Sequence, residues 1–341
     1  MDPRDYVPAY LERRYASSHP DLTEAARALV REQLLQDPDR FAADQEARAL
    51  ISYMRIHEAL ERGLSRMEDL PDLDFERRRA DLFEQTRGEL DAIAQSGHAC
   101  VDARLVSIQL ADMPLDACLG DMLQLERETR EHLLATRPGF NPAVTGLWEL
   151  SALSADMGAS ELTICDPEVI GWLHTVEALA QGCIFTARYR AAASYARTVM
   201  LAQGFPNVAL GTLFLALARL EDEDGFFDAA RMAGEYADDL PWFLLGRTIL
   251  LYKKGQRRSA RRALRDFSSR CDGGAFFLIN PTYHDPYLPV RPAVREPWEL
   301  SHQAVWEADG IIADTPDFTL WAESVEGIRE SAESFALRHG F

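Results

Sequence analysis

Apolar residues recur along this chain at intervals of three and four positions, and alternation of apolar with polar positions is nearly absent. Because this spacing places apolar side chains on one face of an α-helix, it predicts an all-α fold made of amphipathic helices. Outside the repeated segments described next, helices are predicted at about 5–16, 22–36, 40–66, 75–95, 101–111, 114–135, 298–311 and 316–337.

Three segments in the second half of the chain share one arrangement of large and small residues. Each arrangement predicts two antiparallel helices, A and B, in which a small residue in the middle of helix A lets helix B approach. A second small residue, seven positions later, makes the turn between the two helices. The predicted turn residues are Ala187, Gly225 and Gly255, so the units are offset by 38 and then 30 residues.

This arrangement resembles the tetratricopeptide repeat. Three stretches are similar to the repeat region of bacterial relatives of the suppression-of-tumorigenicity-seven family: "PNVALG" (206–211), "GRTILLYKKGQRRSARRAL" (246–264) and "NPTYHDPYL" (280–288). The chain departs from that family where Val208 and Ala209 replace a polar pair, and where extra residues precede Pro286. The resemblance implies a right-handed superhelix of stacked helix pairs. It implies no reaction and no role for any one residue.

The repeats, the proline-rich stretches and the amphipathic ends predict five regions. These are an N-terminal helical region with degenerate repeats at 1–137, a linker with a short helix at 138–166, three tetratricopeptide-like helix pairs at 167–271, a Pro-rich excursion at 272–297, and C-terminal capping helices at 298–341. The caps are expected because the last repeat of a stack needs a cover for its apolar face.

A stack of this kind has a concave groove, and in tetratricopeptide geometry the groove is lined by helix A positions that lie between the packing positions. Aromatic, apolar and charged residues are mixed there, which suits an extended peptide or a partner helix. The sequence therefore predicts a non-enzymatic scaffold or adaptor, unless the C-terminal helices or the excursion fill the groove. The predicted groove residues are His174, Glu177, Gln181, Thr212, Leu215, Arg219, Trp242, Leu245, Ile249 and Tyr252.

Charge is distributed unevenly in this acidic chain, whose formal net charge is −19. Residues 221–239 hold eight acids and one arginine, whereas residues 247–270 hold nine basic residues and one acid. Electrostatic matching of these neighbouring segments is the first interpretation, followed by an acidic partner on the convex side and then a phosphate site. The predicted charged surface comprises Lys253, Lys254, Arg258, Arg261, Arg262 and Arg265.

Motifs for metal chemistry are incomplete in the sequence. His57 and Glu58 begin a zinc-protease pattern, but Glu61 occupies the position where the second histidine ligand is required. Glu299 and His302 have the spacing found in di-iron helical bundles, which need two such pairs, and no second pair occurs. We therefore predict no metal, no cofactor and no catalytic residue.

One short segment, Tyr283-His284-Asp285, could form a general-base pair or a single set of metal ligands within the Pro-rich excursion. It motivates the alternative function, a helical-repeat enzyme or small-molecule-binding protein with a site near His284 and Asp285.

Cysteine spacing and hydropathy bear on location. Five cysteines lie far apart without a CxxC pair, so free buried thiols are expected. The first residues lack the apolar run of a signal peptide, and no apolar stretch reaches the ~18 residues of a membrane span. The sequence predicts a cytoplasmic protein with an unknown protein or peptide partner, and neither a nucleic acid nor a membrane as partner.

Overall fold

The computed structural model describes residues 2–67, 70–95, 100–137, 140–142, 166–203, 208–283 and 294–341. Within these ranges the regular structure is helical and contains no strand, which confirms the all-α prediction. None of the helices described there is both long and apolar enough to cross a bilayer. The chain divides into two compact units, Met1–Val176 and Glu177–Phe341.

The described part of unit 1 contains six α-helices and the first part of a seventh. Helices α1, α2 and α3 each begin at a residue whose side chain accepts a backbone hydrogen bond from the first turn, namely Asp2, Thr23 and Asp44. The bounds are α1 Pro3–Ser18, α2 Glu24–Gln36, α3 Gln45–Ser65, α4 Asp72–Ala94, α5 Val101–Gln109, α6 Leu115–Thr136 and α7 Pro167–Phe185.

The helix predicted from residue 40 begins later in the structure. A short 3-10 helix occupies Pro38–Phe41, and α3 starts only after Asp44, whose carboxylate accepts the backbone N–H of Ala47 at 2.9 Å. An N-cap aspartate fixes the first residue of a helix, because its own backbone is extended and its side chain satisfies an otherwise unpaired N–H. The apolar spacing of the sequence does not contain that information.

Unit 2 starts within α7 and, over its described residues, adds ten α-helices. Helices α7–α8, α9–α10 and α12–α13 are successive pairs. The bounds are α8 Tyr189–Gln203, α9 Ala209–Leu220, α10 Glu223–Ala233, α11 Glu235–Asp238, α12 Pro241–Lys253, α13 Arg257–Arg270, α14 Gly274–Ile279, α15 Pro297–Ala313, α16 Phe318–Glu323 and α17 Ile328–His339.

One turn geometry recurs in all three pairs. Ala187, Glu221 and Gly255 adopt positive φ angles of 56°, 59° and 72°. In every case this residue donates its N–H to the carbonyl three residues earlier, and the next residue donates to the carbonyl five residues earlier. This is the Schellman ending of a helix. Helix B begins two residues after the turn residue in each pair, and successive turn residues are 34 positions apart.

The predicted turn of the second pair, Gly225, is therefore wrong by four residues. Gly225 lies in the first turn of α10, where its N–H donates to the N-cap carboxylate of Asp222 at 2.9 Å. The prediction aligned the units on their small residues, because glycine adopts positive φ without strain. Two of the three turns place a residue with a Cβ at this position, so alignment on glycine loses the register.

Close packing in unit 2 depends on glycine positions in the A helices. A Cβ atom on Gly211 would lie 2.7 Å from Cγ of Trp242, and one on Gly246 would lie 3.2 Å from Cε2 of Phe226. Next to Gly246, the rings of Phe214, Phe226 and Phe243 contact one another with centroids 4.9–5.5 Å apart. These aromatic contacts form the centre of the apolar core between the second and third pairs.

The C-terminal end of unit 2 packs around a second aromatic cluster. Phe277 of α14 contacts Trp298 of α15 and Phe335 of α17, with ring centroids 5.6 Å apart in both cases. The single helix predicted over 316–337 is divided in the structure into α16 and α17. The first of them ends at Glu323, and Gly327, with a φ of 90°, is the N-cap residue of α17, a break that the apolar spacing does not reveal.

Candidate functional site

Six of the predicted groove residues belong to the A helices of the second and third pairs, and their side chains are buried. They are Thr212, Leu215, Trp242, Leu245, Ile249 and Tyr252. In tetratricopeptide geometry such positions would face an open groove. Here the C-terminal helix α15 packs against both α9 and α12. These residues are therefore covered by a helix that does not belong to the three pairs.

Glu307 is the polar centre of this contact. Its side chain is buried in α15, and its Oε2 accepts the indole N–H of Trp242 at 2.7 Å. Its Oε1 accepts a hydrogen bond from the amide of Gln181 in α7 at 3.2 Å. Because a buried carboxylate is costly without donors, these bonds from two A helices stabilise α15 in its position.

The loop that follows α15 contacts two further predicted groove residues. Arg219 at the end of α9 forms an ion pair with Asp314, and the hydroxyl of Tyr252 donates to the carbonyl of Pro316 at 2.9 Å. The ring of Tyr252 also lies 4.7 Å from that of Trp321 in α16. Side chains from all three A helices therefore bind the C-terminal segment of the same chain. In unit 2 these predicted groove residues thus contact the chain's own C-terminal segment, as in the alternative raised from the sequence.

The sequence did not single out Glu307 or Asp314. A signal for Glu307 is present, because Ala304, Glu307, Ala308 and Ile311 have the i, i+3, i+4, i+7 spacing of a buried face. An acid on such a face indicates a hydrogen-bonded buried carboxylate. Asp314 follows the last turn of α15, where no comparable pattern exists.

His174 differs from the other groove residues, because it lies in unit 1 and binds a buried acid there. Its Nδ1 is 2.9 Å from Oδ1 of Asp102 in α5, and the hydroxyl of Tyr6 in α1 donates to Oδ2 of Asp102 at 2.6 Å. Tyr6 and Asp102 are 1% and 3% exposed. Sequence reasoning missed both partners, because an acid in the first turn of a helix is most often a solvated residue that complements the helix dipole.

Burial and charge shift the pKa values around Asp102. Burial alone raises the pKa of Asp102, but the charge and hydrogen bond of His174 and the hydrogen bond from Tyr6 outweigh it, so the pKa is lowered. Burial, and then the charge of Asp102, hold the pKa values of Tyr6 and Tyr53 well above 10.0 and raise that of Cys100 to about 12. Asp102 is thus an ionised, hydrogen-bonded anchor, and Cys100 is a protonated thiol.

The predicted charged surface divides into paired and unpaired residues. Lys253 and Lys254, at the end of α12, pair with Glu221 and Glu223 of the preceding helix pair at 3.4 and 2.7 Å. Arg265 pairs with Glu326 at 3.2 Å, although the side chain of Glu326 is 91% exposed. Arg258, Arg261 and Arg262 are exposed on α13 and make no ion pair, hydrogen bond or ring contact with any described residue.

The candidate metal-binding and catalytic residues are not brought together into a site in the part of the chain that the structure describes. No cluster of three or more potential ligands is found among those residues. Glu299 accepts the backbone N–H of Arg295 at 2.8 Å, and His302 stacks edge-on against Phe277. His284 and Asp285, on which the alternative function depends, lie outside the described residues.

Comparison with known protein families, with curated protein sequences and with solved structures gave no significant match.

Proposed function

We propose that the protein is a non-enzymatic interaction scaffold built on a tetratricopeptide-like superhelix of helix pairs. The observation that supports this most is the recurrence of one turn at Ala187, Glu221 and Gly255, at intervals of 34 residues. That interval is the tetratricopeptide repeat length. Stacked pairs of this type offer extended surfaces, which such proteins use to bind other proteins.

A relationship to bacterial members of the suppression-of-tumorigenicity-seven family belongs to this proposal. It rests on the three similar stretches of sequence, of which 208–211, 246–264 and 280–283 are described as the start of α9, α12 with α13, and a short 3-10 helix. We also propose a cytoplasmic location. Cys100, Cys118, Cys183 and Cys271 are free and buried, which suits a reducing compartment.

In this scaffold the groove is a helix-binding surface whose resident helix is α15. A partner peptide would bind in the groove only by displacing α15, which would expose Trp242, Leu245 and Ile249 and break the hydrogen bonds of Glu307 with Trp242 and Gln181. Binding on the outer faces of the B helices α8, α10 and α13 carries no such cost. We therefore assign partner binding to the outer faces, with exchange in the groove as the second mode.

The test is capture of partners by the immobilised full-length chain from an extract of the organism that produces it, followed by cross-linking. A photoreactive cross-linker, which does not require a particular side chain, is suitable, because α8, α9 and α12 contain no acid and the only lysines of the chain are Lys253 and Lys254. We expect a stoichiometric partner with cross-links on the B helices. Cross-links on α7, α9 and α12 together with release of α15 would indicate exchange instead. Absence of any stoichiometric partner at physiological salt would contradict the scaffold.

A further inference from the structure

Helix α13 has a strongly basic exposed face opposite its buried stripe. Ala260, Ala263, Leu264 and Phe267 are buried, and six arginines with one aspartate account for its charges. Four of the arginines have the i, i+3, i+4, i+7 spacing of a single stripe two turns long. We call this stripe the arginine ridge; it comprises Arg258, Arg261, Arg262 and Arg265.

The remaining charges of α13 are matched within the chain. Asp266 pairs with Arg247 and Arg270 pairs with Asp239, at 2.6 and 2.5 Å. Arg257 lies over the ring of Tyr252, 3.6 Å from its centroid. Electrostatic matching between adjacent helix pairs thus accounts for the flanks of the basic segment, including Lys253 and Lys254. Within the ridge, Arg265 pairs with the exposed Glu326, and Arg258, Arg261 and Arg262 have no counterpart among the described residues.

The ridge works against the stability of its own helix. Like charges at i, i+3 and i+4 destabilise a helix by about 0.2–0.5 kcal/mol per pair. In addition, α13 has no acid in its first turn, its N-cap residue Gln256 makes no capping bond, and Arg258 lies close to the positive end of the helix dipole. Helix α10 shows the favourable arrangement, with Asp222 as N-cap and Glu223 and Asp224 in the first turn. A bound anionic group would relieve both penalties in α13.

The use of arginine instead of lysine does not indicate the type of ligand, because only two of the 36 basic residues of the chain are lysines. The positions of the arginines along the helix do indicate it. The ridge runs about 10 Å along the helix, from the rise per residue, so it can contact only a few phosphates of a nucleic acid, while the net charge of −19 repels the remainder of that polyanion. Carboxylates at i, i+3, i+4 and i+7 of a partner helix match the ridge residue for residue.

We propose that the arginine ridge is the docking site for an acidic segment of a partner protein, whose glutamate or aspartate side chains pair with the guanidinium groups. This inference rests on the proposed scaffold function, for which it supplies the chemistry of the partner.

The experiment uses the full-length chain and a fluorescent helical peptide of about 15 residues, whose glutamates all lie on one face. A second peptide has the same composition with the glutamates distributed around the helix, and single-stranded oligouridine of similar length is the nucleic-acid probe. The ridge variant is Arg258→Gln, Arg261→Gln and Arg262→Gln combined. The matched control is Arg27→Gln, Arg77→Gln and Arg78→Gln combined, which removes the same charge from exposed positions of unit 1.

We expect the one-face peptide to bind the wild type and the control with equal affinity. Its affinity for the ridge variant should be lower by a factor of about ten or more, and a factor of ten is a loss of about 1.4 kcal/mol. The melting temperature of the ridge variant should be equal to or higher than that of the wild type, because like-charge repulsion is removed. The inference would be overturned by any of four results: the ridge variant binds the one-face peptide as tightly as the wild type does, the wild type binds both peptides equally, the wild type binds oligouridine more tightly than the one-face peptide, or it binds neither peptide.

Failure of the inference is distinguishable from failure of the scaffold. A partner retained from the extract by both the wild type and the ridge variant would leave the scaffold standing and refute the ridge as its docking site. Peptide binding at the ridge without a stoichiometric partner in the extract would support an acid-binding surface and refute the scaffold.

Discussion

The indole N–H of Trp242 donates to Oε2 of Glu307 across 2.7 Å, and both side chains are buried. The other oxygen of Glu307 accepts from Gln181, so one carboxylate joins the first and third A helices to the C-terminal helix α15. The donors of these two bonds are neutral. Because buried hydrogen bonds from neutral donors hold Glu307 in place, the loss of folding stability that follows from its removal can be predicted.

Replacing Glu307 with alanine should destabilise the protein by about 2–3 kcal/mol, because Trp242 and Gln181 lose the acceptor of a buried hydrogen bond. Replacing it with glutamine keeps an acceptor for Trp242 and should cost less than half as much. Equilibrium denaturation by urea gives both values. Equal stability of the alanine variant and the wild type would show that this carboxylate does not hold α15.

Gly211 should not tolerate alanine, although it lies inside a helix where alanine is normally preferred. The added Cβ would lie 2.7 Å from Cγ of Trp242, so overpacking should cost about 1–3 kcal/mol. Gly120 in α6 is the control, because a Cβ there would meet nothing within 4 Å. Gly120→Ala should stabilise the protein by about 1 kcal/mol, the difference in helix propensity. Thermal unfolding of the two variants should therefore shift in opposite directions.

Because the three turns have the same geometry, replacing alanine by glycine at one turn and glycine by alanine at another should change stability in opposite directions. Ala187→Gly should stabilise the protein by about 1 kcal/mol, because glycine removes the strain of a Cβ at a φ of 56°. Gly255→Ala should destabilise it by a similar amount, since its φ is 72°. Chemical denaturation of both variants measures the effects. Changes of the same sign would contradict a shared turn geometry.

Alkaline pH should unfold unit 1 through its buried tyrosines. The pKa values of Tyr6 and Tyr53 lie well above 10.0, so above that pH unfolded tyrosines release protons that the folded ones retain. The unfolded state then binds fewer protons, and stability falls as pH rises beyond 10, by up to about 1.4 kcal/mol per pH unit for each tyrosine.

Tyr53→Phe tests this assignment, because it removes one titrating group. The free energy of unfolding, measured from pH 8 to pH 11, should decline less steeply in the variant than in the wild type. An identical slope would mean that Tyr53 ionises at its ordinary pKa. At acid pH the sign reverses for Asp102, whose lowered pKa contributes stability that is lost as the pH falls below about 4.

The sequence predicted the all-α class correctly, because amphipathic spacing alone determines that helices form. Within the helix pairs, the pattern of small residues correctly predicted the turns at Ala187 and Gly255. It failed at Glu221, because this turn residue is not small and Gly225, four positions later, fits the small-residue pattern instead. Helix starts set by a capping side chain, such as Asp44, were also placed wrongly.

The occupant of the groove could be raised from the sequence but not decided. Positions such as Trp242 and Tyr252 were predicted as groove residues from their spacing within the repeat. That α15 covers them depends on contacts between residues 60–130 positions apart, such as Trp242 with Glu307 and Gln181 with Glu307. Local patterns do not encode which apolar surface a distant amphipathic helix covers.

The most direct test of the occupied groove is hydrogen exchange of α15 and α12 in the full-length chain, followed by mass spectrometry. If α15 occupies the groove, Pro297–Ala313 and Pro241–Lys253 should both exchange slowly at neutral pH. Glu307→Ala should accelerate exchange of α15 by about 30-fold, the equivalent of ~2 kcal/mol. Exchange of α15 in the wild type at the rate of an unprotected peptide, with α12 still protected, would show that the groove is open.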